Sequence, residues 1–157
     1  MQEWSRMLDF GPGVVVLKGC FQDVTPVDQA TEIFDQIMDE ERRAGLGSGD
    51  HFAKPGANNR IWNALEKLCL VAPEVFASYY SNVMIALVCE TWLGPNYQMT
   101  SQTNLVHPGG EGQTAHRDYH LGFQSAEEAS FYPATAHRFS PFLTLQGAVA
   151  HLSLIHI

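Results

Sequence analysis

The sequence predicts an α+β fold, because helical patterns dominate its first half and strand patterns dominate its second half. It contains neither the repeated βα alternation of a parallel sheet nor an internal repeat. We therefore expect N-terminal helices packed on a mainly antiparallel sheet or barrel. With 157 residues and 45% hydrophobic content, the chain is long enough for one domain or part of one.

The N-terminal part is predicted to contain a strand, a helix and a loop. Residues 13–19 are a β-branched run between two glycines, which is typical of a strand. Residues 25–28 then supply an N-cap threonine, a proline at the first helical position and an early acid, so a helix should extend from Thr25 to about Arg43. Residues 45–59 are rich in Gly, Pro, Asn and Asp, which predicts a loop.

The middle of the chain is predicted to form two more helices and a strand. Apolar spacing indicates a short second helix over residues 61–68 and a longer third one over residues 75–88. The third helix should end at Gly94, because the next residue is a proline. Residues 97–106 alternate with period two, which predicts a strand whose polar face lines a wet cavity or faces solvent.

The last predicted elements are a turn and two further extended segments. Residues 107–112 contain a Pro-Gly-Gly sequence, which is typical of a turn. Residues 113–123 should resume extended structure, and the apolar residues 142–150 should form another strand.

Charge and cysteine content exclude several classes of function. Nine Lys and Arg against 17 Asp and Glu give a net charge of -8, which disfavours a nucleic-acid partner. No apolar run is long enough for a membrane span, and the N-terminus lacks the features of a signal peptide, so we expect a cytoplasmic protein without a membrane partner. Three widely spaced cysteines predict reduced thiols packed in the core, not a disulfide framework or a zinc knuckle.

The final six residues stand apart from the rest of the chain. Residues 152–157 match the translation of CTG TCT CTT ATA CAC ATC, a transposon-end sequence added to DNA fragments in sequencing libraries. We therefore expect an adapter-derived tail, with residues 1–151 forming part of a domain that continues beyond about His151. The alternative is a genuine strand end.

The segment His116-Arg117-Asp118-Tyr119-His120 contains the strongest candidate for chemistry. Residues two apart on an extended strand point to the same face, so His116 and Asp118 can place an imidazole nitrogen and a carboxylate oxygen on one metal ion. These are two of the three ligands of the facial triad that holds Fe(II) and leaves positions open for cosubstrate and oxygen. The pattern is short, so its context must support the assignment.

That context resembles the core of the phytanoyl-CoA dioxygenase family. A helix ending in Leu93-Gly94 precedes the polar-faced strand, the turn that begins at His107, and the strand with the His-x-Asp pattern. Residues 13–19 and the following helix are similar to the opening unit of the family, so the resemblance covers about residues 10–151. It implies N-terminal helices on a partial double-stranded β-helix, a jelly-roll or cupin-like barrel that is truncated at its C-terminus.

The resemblance also implies a function and a set of site residues. Members are Fe(II)- and 2-oxoglutarate-dependent dioxygenases that use O2 to hydroxylate small organic or acyl substrates. His116 and Asp118 would be the first two iron ligands, and His120 would lie beside them or face the substrate. The predicted 2-oxoglutarate contacts are Asn104 and, as weaker candidates, Gln102 and Gln113.

Two parts of the family site have no match in this sequence. The family pattern implies a distal histidine as the third iron ligand. It also implies an arginine that binds the far carboxylate of 2-oxoglutarate. His137 is too near the His-x-Asp pattern, His151 precedes the usual second turn, and His156 is in the tail. We therefore expect a chain that is inactive by itself and prone to associate.

Two other classes of function remain alternatives. The first is a cupin-like zinc or manganese enzyme or a metal sensor, in which His107 or His120 completes the metal site. The second is a non-catalytic β-barrel module that binds a small ligand or another protein. Its binding would survive the joint replacement of His116 and Asp118.

Overall fold

The computed structural model describes residues 1–47, 57–110 and 125–152. These residues form a helix-rich structure with a small antiparallel sheet of two strands. The elements in chain order are α1 (Gln2–Asp9), α2 (Thr25–Arg43), β1 (Asn58–Ile61), α3 (Ala64–Val71), α4 (Pro73–Tyr80), α5 (Val83–Leu93), β2 (Thr103–Val106), α6 (Ala126–Ser130), α7 (Ala134–Phe139) and a 3₁₀ helix (Ser140–Leu143).

The helix α2 is the centre of the structure, and its predicted bounds are confirmed. At its start, the backbone N–H of Thr25 donates to the carboxylate of Asp23 at 2.9 Å. Its apolar residues recur at helical spacing, which places them on one face. The buried residues of that face are Val27, Ala30, Phe34, Ile37 and Met38.

The elements β1, α3 and α4 pack against the apolar face of α2. They contribute Ile61, Ala64, Leu68 and Tyr79 to the same core cluster. Beside the core, the ammonium of Lys67 on α3 pairs with the carboxylate of Glu41 on α2. Burial of apolar side chains therefore holds three helices and one strand together as one layer.

The predicted third helix is wrong in one respect, since the structure divides it into α4 and α5. The division falls at Ser81 and Asn82, where Asn82 has an extended backbone and its side-chain oxygen accepts from the N–H groups of Met84 and Ile85. Asparagine is a strong N-cap, so it starts a new helix inside a continuous apolar pattern. The predicted end at Gly94 is confirmed, with a φ of 75° that favours glycine.

The predicted strand over residues 13–19 is wrong. The segment is irregular, and both Gly13 and Gly19 have positive φ, at 74° and 68°. Val14 and Val16 are largely exposed. A strand needs a neighbour to pair its backbone groups, and in the described ranges no segment pairs with this one.

The predicted strand over residues 97–106 is confirmed only at its end, where Thr103–Val106 forms β2. Its partner is β1, whose first two residues fall in the predicted loop. That loop prediction is therefore wrong for Asn58 and Asn59, while residues 48–56 lie outside the described residues.

The predicted strand over residues 142–150 is also wrong. The 3₁₀ helix covers its first two residues, and the rest is irregular. The predicted extended segment 113–123 lies outside the described residues, as do residues 153–157 of the predicted tail. The helices and the antiparallel pairing thus agree with an α+β fold, whereas the described ranges form no barrel.

The three cysteines are free and half-buried, not part of the fully buried core. Burial raises the pKa of the thiols of Cys20 and Cys89. Within the described parts of the chain, no helix combines the length and the apolar character needed to cross a membrane.

Candidate functional site

The predicted site residues fall into two groups. His116, Asp118, His120 and Gln113 lie outside the described residues, so their placement stays a prediction. Asn104 lies on β2 and Gln102 directly before it. The strand β2 is thus the last described element before the His-x-Asp pattern in the chain.

The pairing of β1 with β2 gathers polar side chains on one face. Asn104 lies opposite Arg60, and Val106 lies opposite Asn58. Paired residues share a face of the sheet, and so do residues two apart on a strand. One face therefore carries four polar residues beside Val106, and we call it the polar face. The four are Asn58, Arg60, Gln102 and Asn104.

The opposite face of this two-stranded ribbon carries the pairs Asn59–Leu105 and Ile61–Thr103, and its two apolar residues face the core. Ile61 is fully buried in the core cluster, and Leu105 packs against that cluster. This burial fixes the orientation of the ribbon, because a shift of one residue would exchange its two faces. It leaves Asn104 and Gln102 exposed.

Arg60 is a residue of the polar face that the sequence prediction missed. Its guanidinium lies 4.1 Å from the ring centroid of Trp62 and donates a hydrogen bond to the side-chain oxygen of Gln102. The guanidinium is thus held against an aromatic ring, and the exposed amide of Asn104 lies opposite it on β2. Together these two groups can bind a carboxylate. The available signal was the two-residue spacing of Arg60 and Trp62, which puts both on one face of a strand.

The turn after β2 closes over the other end of the polar face. The N–H of Gly110 donates to the carbonyl of His107 at 2.8 Å, and the N–H of His107 donates to the carbonyl of Ala57 at 3.2 Å. A Cβ at Gly110 would lie 2.7 Å from the side-chain oxygen of Asn58. Only glycine fits this close approach, and Asn58 is buried beneath it.

The other two described histidines, His137 and His151, are held by hydrogen bonds away from the polar face. The Nε2 atom of His137 lies 2.9 Å from the carbonyl oxygen of Ala129. His151 lies 2.7 Å from the hydroxyls of both Thr31 and Tyr79. No group of three or more potential metal ligands occurs among the described residues.

Comparison with known proteins supplies the classification. The family model described as phytanoyl-CoA dioxygenase (PhyH) matches residues 11–151. No curated protein and no solved structure matches the chain. The family match covers most of the sequence, including the predicted His-x-Asp segment and both strands of the ribbon. The chain therefore belongs to the phytanoyl-CoA dioxygenase family, whose members are generally oxygenases.

Proposed function

We propose that this protein is an Fe(II)- and 2-oxoglutarate-dependent dioxygenase that hydroxylates a small organic or acyl substrate. The observation that carries the proposal is the family match over residues 11–151, which includes the His-x-Asp pattern at residues 116–118. The family typically uses both cofactors. We infer the same chemistry for this chain.

His116 and Asp118 would supply the ligands that this chain gives to the iron. An imidazole nitrogen and a carboxylate oxygen suit Fe(II), and the described residues offer no rival group of ligands. When bound, iron and 2-oxoglutarate supply oxygen activation, in which O2 and 2-oxoglutarate yield succinate and CO2 while a substrate C–H becomes C–OH. The protein would orient the ligands and exclude water.

The polar face suits a supporting role in binding 2-oxoglutarate. The exposed amide of Asn104 can donate to a carboxylate oxygen, and Arg60 opposite it makes this face favourable for an anion. Gln102 is the weaker candidate, because its side-chain oxygen accepts from Arg60. Gln113 would line the same pocket, and His120 would contact an iron ligand or the substrate.

We further propose that this chain holds two of the three iron ligands. The ring of His137 contacts a backbone carbonyl, and the ring of His151 contacts two hydroxyls. Neither is therefore a good candidate for the distal ligand. Loss of one ligand weakens metal binding strongly, so the 157-residue chain should bind Fe(II) weakly and form little succinate.

The experiment combines anaerobic Fe(II) titration with an assay of oxygen-dependent succinate formation. Both would use the 157-residue chain and, where its gene encodes further residues, the extended protein, here called the completed protein. In the completed protein, His116→Ala and Asp118→Ala should each reduce metal binding and succinate formation to background. The matched control His137→Ala should leave both unchanged.

Each rival class predicts a different result. Micromolar metal affinity of the 157-residue chain that is lost on replacing His107 or His120 would support the cupin-like metal protein. A completed protein that forms no succinate, and that keeps a ligand after joint replacement of His116 and Asp118, would support the non-catalytic module.

A further inference from the structure

Residues 144–152 form an irregular segment, here called the strap. Its His151 contacts the helical layer, which consists of α2, β1, α3 and α4. Residues 146–150 are exposed, whereas His151 is half-buried between α2 and α4. The centroid of its ring lies 6.1 Å from that of Phe34 and 5.4 Å from that of Tyr79. Both partners belong to the core cluster, so His151 joins an exposed segment to the best-packed part of the molecule.

The hydrogen bonds around His151 specify one protonation state. The hydroxyl of Thr31 donates to the carbonyl of Val27 at 2.8 Å, which leaves its oxygen free to accept from Nδ1–H of His151 at 2.7 Å. Nε2 then carries no hydrogen and accepts from the hydroxyl of Tyr79 at 2.7 Å. The neutral Nδ1–H tautomer thus satisfies every donor in this group.

From these contacts we propose that the strap is an acid-released latch, in which protonation of His151 detaches the strap from α2 and α4. The imidazolium would carry a hydrogen on Nε2 as well, directed at the hydroxyl of Tyr79. That hydroxyl would have to turn its own hydrogen away, and no other acceptor contacts it among the described residues. The hydroxyl hydrogen of Tyr79 would then be an unsatisfied donor in a half-buried place. This cost favours the detached state, in which water solvates the charged ring of His151.

The surrounding groups favour the same direction. Burial lowers the pKa of His151 in the docked state, and the opposing effect of Asp28 on α2 is weaker. Asp28 is exposed, so solvent screens it. Burial raises the pKa of Tyr79 and Tyr80 on α4 and of Cys20 on the N-terminal segment. These three groups are therefore neutral near neutral pH and do not stabilise an imidazolium.

The direction of the pH effect follows from proton linkage. In the detached strap His151 has its usual pKa of about 6.5, whereas in the docked strap the pKa is lower. Between these two values the detached state binds a proton that the docked state does not. The detachment constant should therefore rise by up to about tenfold per pH unit of acidification in that window, and level off below the docked pKa.

The test is nuclear magnetic resonance of the 157-residue chain with labelled histidine side chains. Above neutral pH we expect the Nδ1–H tautomer of His151 and nuclear Overhauser contacts from its ring to Tyr79 and Phe34. Acidification should remove these contacts as His151 becomes protonated, while circular dichroism shows that the helices persist. The variant His137→Gln changes a histidine outside this group and should leave the titration of His151 unchanged.

Two further variants separate the latch from general loss of structure. His151→Phe keeps an aromatic ring but cannot bind a proton, so its contacts with Tyr79 and Phe34 should not change with pH. Its stability to urea, measured at micromolar protein, should fall less steeply on acidification than that of the unchanged chain. Tyr79→Phe removes the conflicting hydroxyl and should raise the pKa of His151 towards its usual value. The Nε2–H tautomer above neutral pH, or ring contacts that persist after His151 is protonated, would overturn the proposal.

Discussion

The helical layer of α2, β1, α3 and α4 differs sharply from residues 125–152. Every member of the buried apolar core lies in the helical layer. Among the side chains of residues 125–152 whose burial is described, only that of Ser140 is buried. The large apolar side chains exposed in this second region include Phe131, Phe139, Phe142 and Leu143.

The difference shows how each kind of element obtains its hydrogen bonds. A helix satisfies most of its backbone groups internally, so α2 needs only an apolar face to pack against its neighbours. A strand needs a partner supplied by another segment. Residues 142–150 have the apolar character of a strand but pair with no strand in the described part of the chain. Their apolar character therefore does not lead to burial.

The largest effect that tests this comparison is expected at Leu68. Leu68 on α3 is 0% exposed, whereas Leu70 on the same helix is 76% exposed. Leu68→Ala should lower the free energy of unfolding by about 2–5 kcal/mol, because it leaves a cavity in the core. Leu70→Ala is the matched control and should change it by less than about 0.5 kcal/mol. Urea unfolding followed by circular dichroism measures both, and equal losses would contradict the assignment of the core to this layer.

The sequence predicted α2 well because the signals that specify this helix are local. The start of α2 is specified by residues 25–28, and its buried face by spacing within the same helix. Arg60 and Asn104, by contrast, become neighbours only through the register of β1 and β2. Likewise, Thr31 and His151 are separated by 120 positions. No local pattern specifies such contacts, so neither the pairing of Arg60 with Asn104 nor the contact of His151 with Thr31 could be predicted.

For the candidate site, the sequence predicted the family but left the geometry of the ligands untested. The His-x-Asp pattern and its context identified the family, which the family match confirms. The ligand geometry stays a prediction, because His116 and Asp118 lie outside the described residues.

The division between α4 and α5 had a local signal in the sequence, the N-cap residue Asn82. The uninterrupted apolar spacing around Asn82 nevertheless favoured one long helix.

An intermediate effect is expected at Asn82, which connects the N-terminal segment to α5. Its side-chain oxygen accepts from the N–H groups of Met84 and Ile85, and its amide donates to the carbonyl of Cys20 at 2.9 Å. The thiol of Cys20 also donates to this oxygen, at 3.4 Å. Asn82→Ala removes all four bonds and should lower the free energy of unfolding by about 1–2 kcal/mol. Asn82→Asp keeps the acceptor for the helix and should lose less. An equal loss in the two variants, in urea unfolding, would show that the cap does not stabilise α5.

The smallest effect on stability is expected in the C-terminal region, where Phe142 is 60% and Leu143 is 73% exposed. Replacing both with serine should change the free energy of unfolding by less than about 0.5 kcal/mol, because little apolar area returns to water. The hydrogen bond from Trp92 to the carbonyl of Phe142, at 3.1 Å, involves the backbone and should persist. Exposed apolar groups promote self-association, so the double variant should sediment as smaller species than the unchanged chain. Leu70→Ser, equally exposed but within the helical layer, is the matched control and should have less effect on association. If the unchanged chain is already monomeric, or if Leu70→Ser reduces association as much, exposure in the C-terminal region is not the cause.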